Sequence, residues 1–150
     1  MREIKFRGKC AHCDEWAYGN LADYGEGEIP EIQGFDPYGE EKEEWRNVPV
    51  DRDSVGQYTG LKDKNGKEIY EGDVVVRHSS IFGSIDDIGV VKYDEEKAMF
   101  VLYRKNKLYE TSFHFLKGQT INDGYCTFSE TFTYEVIGNI HDNPELLKKN

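Results

Sequence analysis

No stretch of this 150-residue sequence approaches the roughly 18 consecutive apolar residues that a membrane-spanning helix requires, so no membrane association is expected. Basic residues are in deficit, 19 Lys and Arg against 29 Asp and Glu, for a net charge of −10. That balance disfavours nucleic acid as a partner, because polyanion affinity comes mainly from Lys and Arg neutralising phosphates. Cysteine is scarce and odd in number, at three. The opening "MREIKFRGK" has no apolar run behind its charges, so no secretory signal is expected, and a reducing cytoplasm is the expected setting. There is no internal repeat and no low-complexity tract.

What is present suits a globular domain with a real core: 37% hydrophobic residues, 32% charged and 13% aromatic, with ten tyrosines that favour strands. "REIKFRG" alternates Ile4 and Phe6 against charged residues, and "EWAYGNL" follows after the turn "KCAHCD", which together read as an opening hairpin. "GDVVVRH" is a continuously apolar strand of buried type. "DIGVVKYD", "DEEK" and "AMFVLYR" make a second hairpin, followed by "LYETSFHFL", "YCTFSE" and "TYEVIGNI". "DNPELLKK" offers Asn143 as N-cap and Pro144 at the first helical position, the signature of one short helix.

The expected fold class is therefore mainly β, one domain over 1–150 with two lobes. Residues 1–69 form an N-terminal β region that contains an acidic, irregular excursion over 23–49. Residues 70–150 form a small SH3-like barrel and the C-terminal helix.

The stretch "GLKDKNGKE" has the superficial look of a phosphate-binding loop. Its spacing excludes that reading: five residues separate Gly60 from Gly66 where a P-loop has four, and Glu68 stands where a Ser or Thr should follow the lysine. A hairpin fits instead. A two-residue Asn-Gly turn would pair Lys64 with Lys67 and Asp63 with Glu68, two like-charge pairs. A three-residue loop, Lys64-Asn65-Gly66, with Gly66 left-handed in a bulge, sets Asp63 opposite Lys67 and Leu61 opposite Ile69, and is the expected register. Gly72-Asp73 beyond it reads as a turn whose aspartate caps a backbone amide.

Three blocks, "REIKFRGK" with "EWAYGNL", "VGQYTGLKDKNGKEIYEGDVV", and "YEVIGNIHDNPELL", together resemble the YopX protein family. The resemblance covers both ends and the middle of the chain. It implies an all-β fold and a phage or prophage accessory protein at work in the host cytoplasm, and it implies no particular activity. The cysteine-bearing turn "CAHCDEW" departs from the ordinary polar turn of relatives, so any chemistry at Cys10 and Cys13 would be particular to this chain.

Cys10 and Cys13 form the sharpest chemical motif, but structural zinc takes four ligands, typically two such pairs. Cys126, His78, His114 and His141 would complete a site only by converging from scattered positions. Two thiols at a hairpin tip is the expected state, with no metal and no cofactor. No Ser, His or Cys grouping carries a catalytic signature, and the chain is read as a non-enzyme.

Residues 23–51 hold ten acidic residues against Lys42 and Arg46, so −8 of the net −10 lies there. Within this run Glu40, Glu41, Glu43 and Glu44 flank Trp45, an aromatic anchor among carboxylates of the kind protein partners bind. The expected function is a non-catalytic module that binds an unknown host or phage protein through this segment; a homo-oligomer is compatible with the same surface. The alternatives are metal- or thiol-dependent activity at Cys10 and Cys13, and nucleic-acid binding through the small barrel.

Overall fold

The computed structural model describes residues 1, 3–35, 45–80, 87–105, 110–114, 118–122 and 127–147, with side chains over 1, 3–34, 46–80, 88–104 and 131–147. These form two compact units, Met1–Gly60 and Leu61–Asn150. Among the described residues no helix is long and apolar enough to cross a membrane.

In the first unit the opening hairpin forms as its alternation dictates. Strands β1 (Phe6–Lys9) and β2 (Trp16–Ala22) pair antiparallel with Phe6 opposite Gly19 and Lys9 opposite Trp16. The burial pattern departs from simple alternation: Ile4 is exposed, while Arg7 is buried with its guanidinium 4.7 Å from the centre of the Trp16 ring. A cation stacked on an aromatic face tolerates burial that a bare charge does not.

Residues 23–49, expected to be irregular, contribute two strands, β3 (Glu31–Phe35) and β4 (Trp45–Pro49). These pair with each other from Glu31 opposite Pro49 to Phe35 opposite Trp45, and β3 pairs with β2. Composition misled here because acid and glycine are concentrated in the connections, while Ile32 supplies a side chain only 1% exposed. The body of this unit is built partly from the segment expected to be irregular. Strand β5 (Gly56–Lys62) pairs with β1 and continues into the second unit.

In the second unit β5 turns back into β6 (Glu68–Tyr70) through the three-residue loop. Asp63 N–H donates to the Lys67 carbonyl at 2.7 Å, Gly66 N–H donates to the Asp63 carbonyl at 3.0 Å, and Gly66 has φ of 84°. This is the bulged register, and only glycine adopts that φ without strain. The charge argument behind it needs amending, because Asp63 is buried and serves the backbone. Its Oδ1 accepts the Asn65 and Lys67 N–H groups at 2.8 and 2.9 Å, and its Oδ2 accepts the Val136 N–H at 3.1 Å. Asp73, 1% exposed, likewise accepts the Tyr70 N–H at 2.8 Å, the capping role expected of it.

The remaining strands are β7 (Asp73–Ser79), β8 (Asp87–Asp94), β9 (Met99–Lys105), β10 (Glu110–His114), β11 (Gly118–Asn122) and β12 (Thr127–Asn139). Val74, Val75 and Val76 are all buried, as the unbroken apolar run of β7 requires. Ile69, Val75, Val91, Phe100, Leu102, Phe132 and Tyr134 make the core, with Leu61 and Val136 packed against it.

Three expectations are corrected. The sheet runs in the order β10-β9-β8-β7-β12-β11, and its terminal strands β10 and β11 do not pair among the described residues, so there is no closed SH3-like barrel. From Thr127 of "YCTFSE" to Asn139 of "TYEVIGNI" the chain is the single strand β12, whose first half pairs with β11 and second half with β7. Closure depends on edge strands finding each other, which strand count does not determine. The C-terminal helix is one 3₁₀ turn, Pro144–Leu147. The Asn143 side chain faces back to the Asn139 N–H at 3.4 Å, and four residues are too few to propagate an α-helix.

Burial pushes the Asp63 carboxyl up, but the N–H groups of Val136, Lys67 and Asn65, with the Lys67 charge, outweigh it and hold the group below the ordinary aspartate range. Its contribution to stability is complete above about pH 4 and lost as pH falls through the lower folded value. Asp63→Ala should destabilise the protein by about 2–4 kcal/mol, because it strands three N–H groups. Thermal denaturation should show a fall of about 5–15 °C, with Asp63→Asn falling less. An Asp63→Ala melting curve that overlays the native one would refute the role.

Candidate functional site

The loop between β2 and β3, "DYGEGEIP", carries three carboxylates and two large apolar side chains in eight residues. Gly25 and Gly27 have φ of 105° and 88° with open space around them, so they are required by backbone conformation and not by crowding. The Asp23 side chain accepts the Gly25 N–H at 3.0 Å, and Glu28 N–H donates to the Gly25 carbonyl at 3.3 Å.

Arg52 braces this loop. Its Nη1 donates to Asp23 Oδ2 at 3.0 Å, and its Nη2 reaches Asp23 Oδ1 at 2.9 Å, the Gly25 carbonyl at 2.8 Å and the Glu28 carbonyl at 2.9 Å. A planar fork that meets a carboxylate with both arms fixes orientation as well as charge. Arg52 is itself held, because the 3₁₀ turn Arg52–Ser54 is capped by Asp51 and docked on β1. The buried Ser54 hydroxyl accepts the Lys9 N–H at 2.7 Å and donates to the Asp51 carbonyl at 2.6 Å.

The electrostatics follow from the fork. The Arg52 hydrogen bonds, then the Gly25 N–H, hold the Asp23 carboxyl below its usual range, and Asp23 in turn raises the Arg52 guanidinium. Tyr24 donates its hydroxyl to Glu31 at 3.0 Å, which raises the phenol. With its polar atoms so committed, the loop displays Tyr24 and Ile29 at 59% and 57% exposure, beside the exposed Glu26 and Glu28.

An open cleft of about 400 Å³ lies between this loop and the cysteine turn, lined by Cys10, Ala11, Ile29, Pro30, Val50 and Arg52 among others. Its floor is apolar, with Val50 and Pro30 buried. The turn is anchored by Cys10 N–H to the Glu15 carbonyl and Ala11 N–H to the Pro49 carbonyl, both 2.9 Å, and by Lys9 with Asp14 at 2.6 Å. Cys10 and Cys13 are joined in a disulfide, Cα atoms 5.3 Å apart, which corrects the expectation of two thiols. The hairpin itself brings the two side chains together. A ring this small restricts the unfolded chain little, about 2 kcal/mol on the chain-entropy scale.

Of the residues singled out in the sequence, Glu40, Glu41, Glu43 and Glu44 lie outside the described residues, as do Cys126 and the side chain of His114. Trp45 is the first residue of β4, and its side chain is likewise outside them. His78 and His141 belong to the second unit, where His78 Nε2 lies 3.3 Å from Glu135, whose carboxylate also pairs with Lys64 at 2.5 Å. Among the described residues no group of three or more His, Cys, Asp or Glu is arranged to hold a metal. Sequence reasoning missed Tyr24, Ile29 and Arg52; the pairing of Asp23 with a glycine two residues on was the local signal for an ordered turn.

Residues 5–148 match the family model described as YopX protein. A solved structure titled crystal structure of protein EF1440 from Enterococcus faecalis is similar at 24% identity and a TM-score of 0.42, covering 98% of this chain and 99% of that one. No curated protein matches.

Arg52→Ala should release the loop while sparing the sheet. Amide exchange at Gly25, corrected for intrinsic rate, should accelerate roughly tenfold, and the melting temperature should move by no more than a few degrees, as for an exposed ion pair. Because the folded Asp23 carboxyl lies below its ordinary value, the bracing should be complete above about pH 4 and weaken as pH falls through the lower folded value. Unchanged Gly25 protection in Arg52→Ala would show that the fork does not hold the loop.

Proposed function

The chain belongs to the YopX protein family, and on that premise we propose a non-catalytic role, the capture of a protein partner in a phage or host setting by the first unit. The observation that carries the reading is the Arg52 brace, which displays Tyr24 and Ile29 to solvent on a loop whose backbone is already ordered. Exposed aromatic and aliphatic side chains on a preorganised backbone lose little entropy on binding, so their burial converts efficiently into affinity. The adjoining apolar cleft is a receptacle for a partner side chain.

The charge around these anchors defines the partner's chemistry. Glu26 and Glu28 are exposed on the loop, and Glu40, Glu41, Glu43 and Glu44 with Trp45 extend the acidic run along the chain. The complementary surface is therefore apolar at its centre and basic at its rim. Rim charges of this kind speed association and set specificity, and salt screens them.

The test is affinity capture with the tagged full chain from phage-infected host cells, native against Tyr24→Ala/Ile29→Ala. The double variant should lose the partners that native protein captures, with its melting temperature within a few degrees of native. Glu43→Lys/Glu44→Lys should slow association and reduce its salt dependence. Identical partner sets for native and Tyr24→Ala/Ile29→Ala would overturn the reading, as would a native chain that captures nothing above a tag-only control.

A further inference from the structure

The cysteine turn has a feature that the protein-binding reading does not use. The disulfide joins Cys10, half-buried and bridged to Val50, to Cys13, which is exposed at the tip. The hairpin does not need this bond to close. The β1–β2 ladder runs to the pair Lys9 and Trp16, Cys10 N–H donates to the Glu15 carbonyl, and Lys9 pairs with Asp14. On the other side Ala11 N–H donates to Pro49 and Asp51 N–H to Lys9, which tie the base of the turn to the chain around β4. The crosslink therefore adds constraint only at the exposed tip, beyond Cys10 and Ala11, which line the cleft.

We propose that Cys10 and Cys13 form a reversible dithiol–disulfide exchange site that reacts in the folded protein, with a dithiol, small or protein-borne, as co-reactant. A thiolate of the dithiol attacks the exposed Cys13 Sγ. The Cys10–Cys13 bond breaks, and its electron pair leaves on Cys10 Sγ, which takes up a proton. The second thiol of the co-reactant then attacks its own sulfur in the mixed disulfide and releases Cys13 as a thiolate that is protonated in turn. The co-reactant is oxidised by two electrons to its disulfide, and the protein is reduced by two to the dithiol. Access selects Cys13 as the attacked sulfur, since in-line approach by a thiolate requires an open face. Reduction frees His12 and Cys13 at the tip, while the backbone bonds of Cys10 and Ala11 keep the base of the turn tied, so the sheet is not dismantled. The exchange does not rest on the protein-binding reading, and either can fail alone.

The full chain is equilibrated in dithiothreitol buffers of varied reduced-to-oxidised ratio, acid-quenched, alkylated with iodoacetamide and mapped by mass spectrometry, which separates Cys126 from the pair. Cys10 and Cys13 should pass together from no alkyl groups to two as the ratio rises, and return on reoxidation, with the β-sheet circular dichroism unchanged throughout. Alkylation of both cysteines in oxidised buffer would overturn the proposal, and so would a bond that yields only after denaturation. The choice of Cys13 is tested separately with oxidised glutathione on the single variants. Cys10→Ser should form the mixed disulfide at Cys13 severalfold faster than Cys13→Ser forms it at Cys10; equal or reversed rates would remove that assignment.

Discussion

The Asp63 carboxylate is the interaction on which the second unit most depends. It terminates the hairpin of β5 and β6 from inside, by accepting two N–H groups of the loop. With its other oxygen it accepts the Val136 N–H of β12, where the register with β7 slips between Val136 and Gly138. A slip leaves a backbone donor without its ladder partner, and a buried donor must find an acceptor. Asp63 supplies one, and Lys64 N–H adds a second link by donating to the Tyr134 carbonyl at 2.8 Å. Tyr134 and Val136 belong to the core and its margin, so the same contacts that close the hairpin fix the strand that carries core side chains.

The first unit repeats this logic with the sign reversed. There a cation, Arg52, collects a carboxylate and two carbonyls from one glycine-rich loop, and the loop gains order that its composition would not supply. The consequence differs because of exposure. Asp63 is buried and its bonds sustain the fold, whereas the Arg52 fork is solvent-accessible and its main effect is on the presentation of Tyr24 and Ile29. The proposed function rests on the second arrangement for that reason: an ordered loop with apolar side chains left outside is more than the fold needs.

Much of the β architecture could be read in advance. The unbroken run of β7, the β8–β9 hairpin and the bulged loop at Gly66 all formed where periodicity and turn chemistry put them, because those signals are local. The acidic excursion was misjudged because a single buried Ile32 and a backbone ladder outweigh average composition over a short strand. The candidate site was less legible still. Its acidic character was visible, but Arg52 stands 29 positions from Asp23, and nothing local announces that pairing.

By itself, then, the sequence determined the period-two patterning, the turns that need glycine, the excess of acid and the proximity of Cys10 to Cys13, since each depends on neighbours along the chain. Only the tertiary structure decided that the C-terminal sheet stays open among its described strands, that Asp63 serves the backbone before it serves Lys67, and that the cysteines are bonded beside a cleft. Those outcomes turn on which distant groups meet and what is buried between them, and chain-local preferences leave that choice to the free energy of the whole fold.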